Sequence, residues 1–166
     1  FSPLCVSINL SARQFQEPDL AEIVSEVLKE TDLDPLYLNL EITENVAMHA
    51  IELAIRAVTR LTGVGVSFSI DDFGTGYSSL SWLSKLPVQK LKIDQSFIRD
   101  IEATSNNKAI VNAIIALAHN LKLKVIAEGV ESEAQLAFLR SSGCDEMQGH
   151  LVSKALPPEK FTTLIM

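Results

Sequence analysis

Short apolar runs rich in β-branched residues alternate with stretches of helical periodicity along the whole chain. That alternation is the mark of parallel βα units rather than of an all-α or all-β domain. The first strand-like run is Leu4–Asn9, followed by a helix in which Leu20, Ile23, Val24, Val27 and Leu28 recur at helical spacing. Tyr37–Ile42 reads as a strand, Val46–Leu61 as a helix ended near Gly63 and Gly65, and Val66–Ile70 as the next strand. A helix around Leu80–Leu83 stops before Pro87 and leads to the strand Lys90–Ile93. The helix carrying Ile110, Ile114, Leu117 and Leu121 feeds the strand Leu123–Ala127. Ser132 and Gln135 stand at capping-box spacing at the start of a further helix that closes at Gly143. Met147–Leu151 is the last strand, and Pro157 opens a tail helix with Phe161, Leu164 and Ile165. Six strands, five linking helices and a tail helix fit either an open doubly wound sheet or most of a (β/α)8 barrel, and spacing alone does not separate them.

Bulk properties narrow the function classes. At 166 residues with 47% hydrophobic content and a positive mean hydropathy, residues 1–166 read as one folded domain with a sizeable core. The formal net charge of -7 argues against binding polymeric DNA or RNA, which depends on Lys and Arg neutralising phosphates. A small phosphorylated ligand stays open if cations bind first. Cys5 and Cys144 are far apart and lack metal-ligand spacing, so no disulfide framework or zinc knuckle is expected, which suits a reducing cytoplasm. The most apolar stretch, Ala109–Ala127, is broken by Asn112, His119, Asn120, Lys122 and Lys124, short of the ~20 apolar residues a membrane span needs. The opening Phe1-Ser2-Pro3-Leu4-Cys5-Val6 carries no initiator Met and enters a strand almost at once, as expected of a piece of something longer.

The chemistry gathers at the strand ends. Each predicted strand finishes on a polar or charged residue: Asn9, Glu41, the pair Asp71 and Asp72, Lys92, Glu128 and Gln148. In a parallel α/β fold all strand C-termini open on one face, where such folds place their sites. Taken singly, an acidic turn, a rim lysine or a helix-start glutamate is ordinary; recurrence at all six ends points to a site. Asn9, Glu41, Asp71 and Asp72 offer only hard oxygen ligands, the set suited to Mg2+, Mn2+ or Ca2+. Paired divalent ions ~3.5–4 Å apart activate water and stabilise both oxygens in phosphodiester cleavage. Lys92 adds a positive charge for a phosphate or nucleophile, and Glu128 is placed to accept a proton. The glycines in Phe73-Gly74-Thr75-Gly76-Tyr77 allow a loop to fold over whatever the acids hold.

The segments Val6-Ser-Ile-Asn-Leu-Ser-Ala-Arg-Gln14, Leu40-Glu-Ile-Thr-Glu44, Ile70-Asp-Asp-Phe-Gly-Thr-Gly-Tyr-Ser-Ser-Leu80, Leu91-Lys-Ile-Asp-Gln-Ser-Phe97, Ala127-Glu-Gly-Val-Glu131 and Gly143-Cys-Asp-Glu-Met-Gln-Gly149 resemble the motifs of EAL domains, in order and spacing. These are phosphodiesterases that linearise the bacterial second messenger cyclic di-GMP to pGpG. The resemblance implies a TIM-like (β/α)8 barrel, incomplete here, whose six βα units correspond to strands three to eight. It implies metal ligation by Asn9, Glu41, Asp71 and Asp72, with Mg2+ or Mn2+ in a two-metal site. By the same resemblance Lys92 orients or polarises the attacking water, and Glu128 is the general base or a metal-associated carboxylate. Gln148 then lies near substrate, and Glu44 and Glu131 hold or complete the site, Glu44 anchoring the loop from Phe73 to Ser79 that includes Gly74, Thr75 and Gly76. The family links that loop to dimerisation and activation, so a cytoplasmic homodimer behind an upstream sensory or cyclase domain is expected.

The departures matter as well. The Glu-Ala-Leu motif that names the family, with one metal-ligand glutamate, is absent from this sequence, as are the first two strands and their helices. A non-catalytic cyclic di-GMP receptor or interaction module is therefore the alternative, and a different TIM-barrel metallohydrolase a third. Lys122 stands where a glycine is common, and His150-Leu-Val-Ser-Lys-Ala155 where an aromatic and a proline are usual. His150 is read as a rim or packing residue and Trp82 as core or helix-face packing. Two open edges, along Leu4–Asn9 and Met147–Leu151, are expected to invite association.

Overall fold

The computed structural model describes residues 4–49, 51–76, 80–101 and 105–165; side chains of residues 80, 164 and 165 are also outside the description. Among the described residues, six strands form one sheet: β1 (Val6–Asn9), β2 (Leu38–Thr43), β3 (Ser67–Phe73), β4 (Lys90–Ile93), β5 (Lys124–Ala127) and β6 (Glu146–Met147). Every pair is parallel and the spatial order equals the chain order. A doubly wound sheet reverses direction at a switch point, and this one does not. With right-handed crossovers throughout, all linking helices fall on one face and the other face curves inward, giving an incomplete TIM-like barrel.

The helices are α1 (Ala12–Phe15), α2 (Leu20–Thr31), α3 (Glu44–His49), α4 (Ile51–Val64), α5 (Leu80–Leu83), α6 (Gln95–Arg99), α7 (Ser105–Asn120), α8 (Glu133–Ser141) and α9 (Pro158–Ile165). Side chains alternate along each strand, and the two sets differ sharply in chemistry. Leu38, Leu40, Ile42, Phe68, Ile70, Leu91, Ile93, Val125 and Ala127 are buried on the helix side. Val58 and Leu61 of α4 and Val111 and Ile115 of α7 belong to the same core. The inner set is mostly polar: Ser7, Asn39, Glu41, Ser69, Asp71, Lys90 and Lys92, with Ile126 an apolar member in register with Lys92. Barrel interiors are commonly filled by branched apolar residues, and the largely polar lining here departs from that pattern.

Several expected boundaries shift. The helix expected over Val46–Leu61 starts earlier and ends later: α3 begins at Glu44 directly after β2 and α4 runs to Val64, with residue 50 between them outside the described residues. β3 runs on to Phe73 instead of stopping at Ile70, carrying both aspartates within it, and its register against β4 is irregular between Ile70 and Phe73. The last strand is only Glu146–Met147 and not Met147–Leu151. The pairing does continue one step: Gln148 N donates to Ala127 O at 2.8 Å and Val130 N to Gln148 O at 3.1 Å. At Gly149 the chain is pressed against the backbone of Val130 and must turn. The short α1 and α6 were not anticipated. Ser132 and Gln135 form the expected capping box, and Ser11 and Gln14 form a second one at α1. Trp82 is buried as expected, and its indole Nε1 has no hydrogen-bond partner among the described residues. β1 and β6 are the outer strands, and Val6 and Ile8 of β1 remain about half exposed (52% and 47%).

A Cβ on Gly149 would stand 2.1 Å from Val130 O and 2.3 Å from Val130 N, whereas one on Gly143 (φ +79°) meets nothing within 4 Å. Gly149→Ala must move backbone and is expected to cost about 3 kcal/mol. Gly143→Ala pays only the left-handed backbone penalty of about 1 kcal/mol. Urea denaturation of the two variants checks the ranking, and equal losses would mean the chain relaxes freely at Gly149.

Candidate metal and catalytic centre

The centre is organised around the ammonium of Lys92, the next-to-last residue of β4. Lys92 Nζ lies 2.5 Å from Glu41 Oε2, 2.7 Å from Glu128 Oε1 and 3.2 Å from Asp71 Oδ1. These carboxylates come from β2, from β3 and from the residue just past β5, so three strands deliver acids to one cation from a fourth. Glu41 and Lys92 are almost fully buried. Burial alone would push the Lys92 ammonium down, but hydrogen bonds to Glu128 and Glu41 and the charges of Glu128 and Asp71 outweigh it. Its pKa therefore stands above the ordinary lysine value, and the side chain is a fixed positive charge.

One ammonium does not balance the acids around it. Glu41, Asp71, Asp72 and Glu128 bring four carboxylates, and one oxygen each from Asp71, Asp72 and Glu128 lies within 4.8 Å of the others. Burial raises the pKa of Asp72, helped by the charges of Asp71 and Asp94 and a hydrogen bond with Asp94. Glu128 is also raised, chiefly by burial and further by Asp71 and Glu41, against the lowering pull of Lys92. Crowded carboxylates that resist joint ionisation are what a divalent cation relieves, so these oxygen donors fit a hard divalent cation. Asn9 pairs in register with Glu41 at the edge of this group, on exposed β1.

The described part of the loop after β3 packs against the start of α3. Asp72 adopts a left-handed conformation (φ 54°), its N–H donates to Asp71 Oδ1 at 3.0 Å, and Thr75 Oγ1 donates to Asp72 O at 2.9 Å. Gly74 N donates to Glu44 Oε2 at 2.9 Å, tying the loop to the fully buried first residue of α3. Both glycines were expected to supply unusual backbone angles, but only Gly74 does (φ +98°). Gly76 is instead closely packed: a Cβ there would come within 3.3 Å of Asn45 Oδ1 and 3.5 Å of Glu44. Residues 77–79 of the expected loop lie outside the described residues.

Glu131 and Gln148 stand apart from the carboxylates but line, with Glu128, one cavity of ≈ 640 Å³ that also reaches Met147, Lys154 and Phe161. His150 is on its exposed rim, with Nδ1 3.3 Å from Glu131 Oε1. Sequence reasoning passed over Asp94, which caps α6 through Ser96 N at 2.9 Å while pressing on Asp72. It also passed over Asn39 and Ser69, buried beside Glu41. Their signal was available as alternate polar positions inside otherwise apolar strands.

A family profile described as the EAL domain matches residues 1–155. The chain belongs to the EAL domain family. This EAL domain is 46% identical over 163 residues to signaling protein YkoW of Bacillus subtilis, covering 98% of the chain and 20% of that protein. It is 45% identical over 156 residues to MucR of Pseudomonas aeruginosa, named a bifunctional diguanylate cyclase/cyclic di-GMP phosphodiesterase, covering 94% of the chain and 23% of that protein. The cyclic di-GMP phosphodiesterase NbdA of the same organism is 47% identical over 154 residues, 93% of the chain and 20% of its own length. Among solved structures, the PaMucR phosphodiesterase in complex with c-di-GMP matches with a TM-score of 0.92 at 44% identity, over 95% of this chain and 64% of that one. The chain thus spans about a fifth of the length of the curated relatives it matches. Among the described residues, no helix is long and apolar enough to cross a membrane.

The raised Asp72 carries a pH signature in metal-free protein. An acid whose folded pKa exceeds its unfolded value holds its proton more tightly when folded, so stability falls as pH rises from about 3.8 through the folded pKa, and the loss persists at neutral pH. Asp72→Asn removes that loss. Its melting temperature is expected to exceed the parent's at pH 7, the difference shrinking as pH falls below 3.8. A pH-independent gain would instead report the comfort of Asn in the left-handed backbone.

Proposed function

We propose that this EAL domain hydrolyses cyclic di-GMP to linear pGpG in a metal-dependent reaction. The observation that carries the reading is the meeting of three carboxylates on Lys92 with Asp72 alongside, a site richer in negative charge than its one cation can balance. The names of the relatives MucR and NbdA and the c-di-GMP complex of PaMucR support the choice of substrate. Asn9, Glu41, Asp71 and Asp72 are the residues that would hold Mg2+ or Mn2+. Such ions, when bound, supply Lewis acidity at a phosphoryl oxygen and a more acidic water.

The remaining work falls to the chain's own side chains. Glu128 takes the proton of the water whose oxygen attacks phosphorus and returns it to the ribose oxygen released as its P–O bond breaks, and a raised pKa suits a group that must gain a proton during turnover. Lys92, permanently charged, neutralises the phosphate as negative charge builds in the transition state. Glu44 holds Gly74, and through it the Gly74-Thr75-Gly76 loop, against the acids. Gln148 and Glu131 line the neighbouring cavity, which we assign to the nucleotide. A homodimer, a cytoplasmic setting and an upstream sensory or cyclase domain complete the reading by family resemblance, and the greater length of the relatives accords with the last.

In the full-length protein, Asp71→Asn is expected to lower Mg2+- or Mn2+-dependent linearisation of cyclic di-GMP by at least about 10²-fold. Lys92→Gln should reduce kcat far more than it raises KM, because its charge is used in the transition state. Product analysis by anion-exchange chromatography reads both. A parent protein that binds the dinucleotide tightly yet never opens it with either metal is a receptor, and the enzymatic reading then falls.

A further inference from the structure

Beneath the carboxylates around Lys92 lies a second layer of polar side chains with no role in the proposed reaction. Strand alternation brings Ser7, Asn39, Ser67 and Ser69 onto the inner face that carries Glu41 and Asp71, one step nearer the strand N-termini. Asn39 is its centre and is 1% exposed. Its Nδ2 lies 2.8 Å from Ser69 Oγ, 3.1 Å from Ser7 Oγ and 3.3 Å from Glu41 Oε1. Its Oδ1 accepts from Ser67 Oγ at 3.1 Å, and Ser69 Oγ reaches the same Glu41 oxygen at 3.5 Å. Burying an amide is costly unless its hydrogen-bonding groups are matched. Here three hydroxyls and a carboxylate match them, where an apolar residue would have filled the interior at no such cost.

The two oxygens of Glu41 are therefore held from different sides. Oε2 faces Lys92 at 2.5 Å, and Oε1 faces Asn39 and Ser69. A carboxylate held by one oxygen can rotate about its last bond, but one held by both keeps its plane. Groups that orient a metal-ligating carboxylate in this way are worth about 10–100-fold in metal affinity. We propose that Asn39, backed by Ser69, is a positioning residue that fixes the plane of the Glu41 carboxylate for a divalent cation. The inference rests on the assignment of Glu41 as a metal ligand and adds the residues that make it an effective one.

The test is Mn2+ binding to the metal-free full-length protein, read from the electron paramagnetic resonance of the free ion, beside the melting temperature without metal. Asn39→Leu is expected to weaken the tightest Mn2+ site by about 10–100-fold, and Ser69→Ala by a smaller factor in the same direction with an unchanged melting temperature. Parental Mn2+ affinity in Asn39→Leu overturns the proposal. Should Asn39→Leu fail to fold, Ser69→Ala decides: weaker Mn2+ binding at the parental melting temperature supports the role, and unchanged binding overturns it. Glu41→Gln separates the two levels of the argument. If it binds Mn2+ as tightly as the parent, Glu41 is no ligand and both readings fall; if it loses affinity while the Asn39 and Ser69 variants do not, only the positioning role falls.

Discussion

Every other feature of the centre depends on the contacts of one buried ammonium. Lys92 Nζ touches carboxylates held by β2, by β3 and by the end of β5, so a single atom spans four neighbouring strands. Removing an ion from water costs several kcal/mol even after the protein relaxes, and deleting one partner of a buried pair leaves the rest uncompensated. A one-residue slip of any strand would turn its side chain to the opposite face. The register of the inner sheet and the neutralisation of its charges are thus one requirement, met only when all four strands are correctly aligned.

That requirement is compatible with stability because the sheet keeps its two faces separate. Parallel strands covered on both sides usually read as continuous apolar runs. Here Leu40, Ile42, Phe68, Ile70, Leu91 and Ile93 face the helix layer, while Asn39, Glu41, Ser69, Asp71 and Lys92 fill the opposite side. Apolar burial against the helices supplies the driving force for folding, and the inner face is free to carry charge. Glu44 stands at the junction: buried at the start of α3, it receives the N–H of Gly74 and so ties the loop after β3 to the helix layer.

Much of this arrangement was legible from residues alone. The parallel βα alternation, the polar residue at each strand end and the Asp71-Asp72-Phe73-Gly74 turn all follow from period and punctuation, and the strand Lys90–Ile93 and helix Leu80–Leu83 fell where expected. The choice of barrel over doubly wound sheet did not, because strand order is a tertiary fact. Attention to strand ends also hid Asn39 and Ser69, which sit two residues before Glu41 and Asp71 and share their face by alternation. Asp94 escaped for another reason: as a helix cap it already had an ordinary explanation, and only folding brings it against Asp72. The close approach of Gly149 to Val130 was also hidden, because only the pairing of the segments after β5 and β6 brings the two residues together.

β1 differs from its neighbours in holding the sheet by one side only, with Val6 and Ile8 bare on the face where the other strands carry helices. Asn9 stands at the end of that strand, in register with Glu41. A ligand that engages Asn9 must hold β1 in place, and any polypeptide that packs on Val6 and Ile8 holds the same strand. Whatever shifts β1 therefore reaches the interior through one register pair, Asn9 against Glu41.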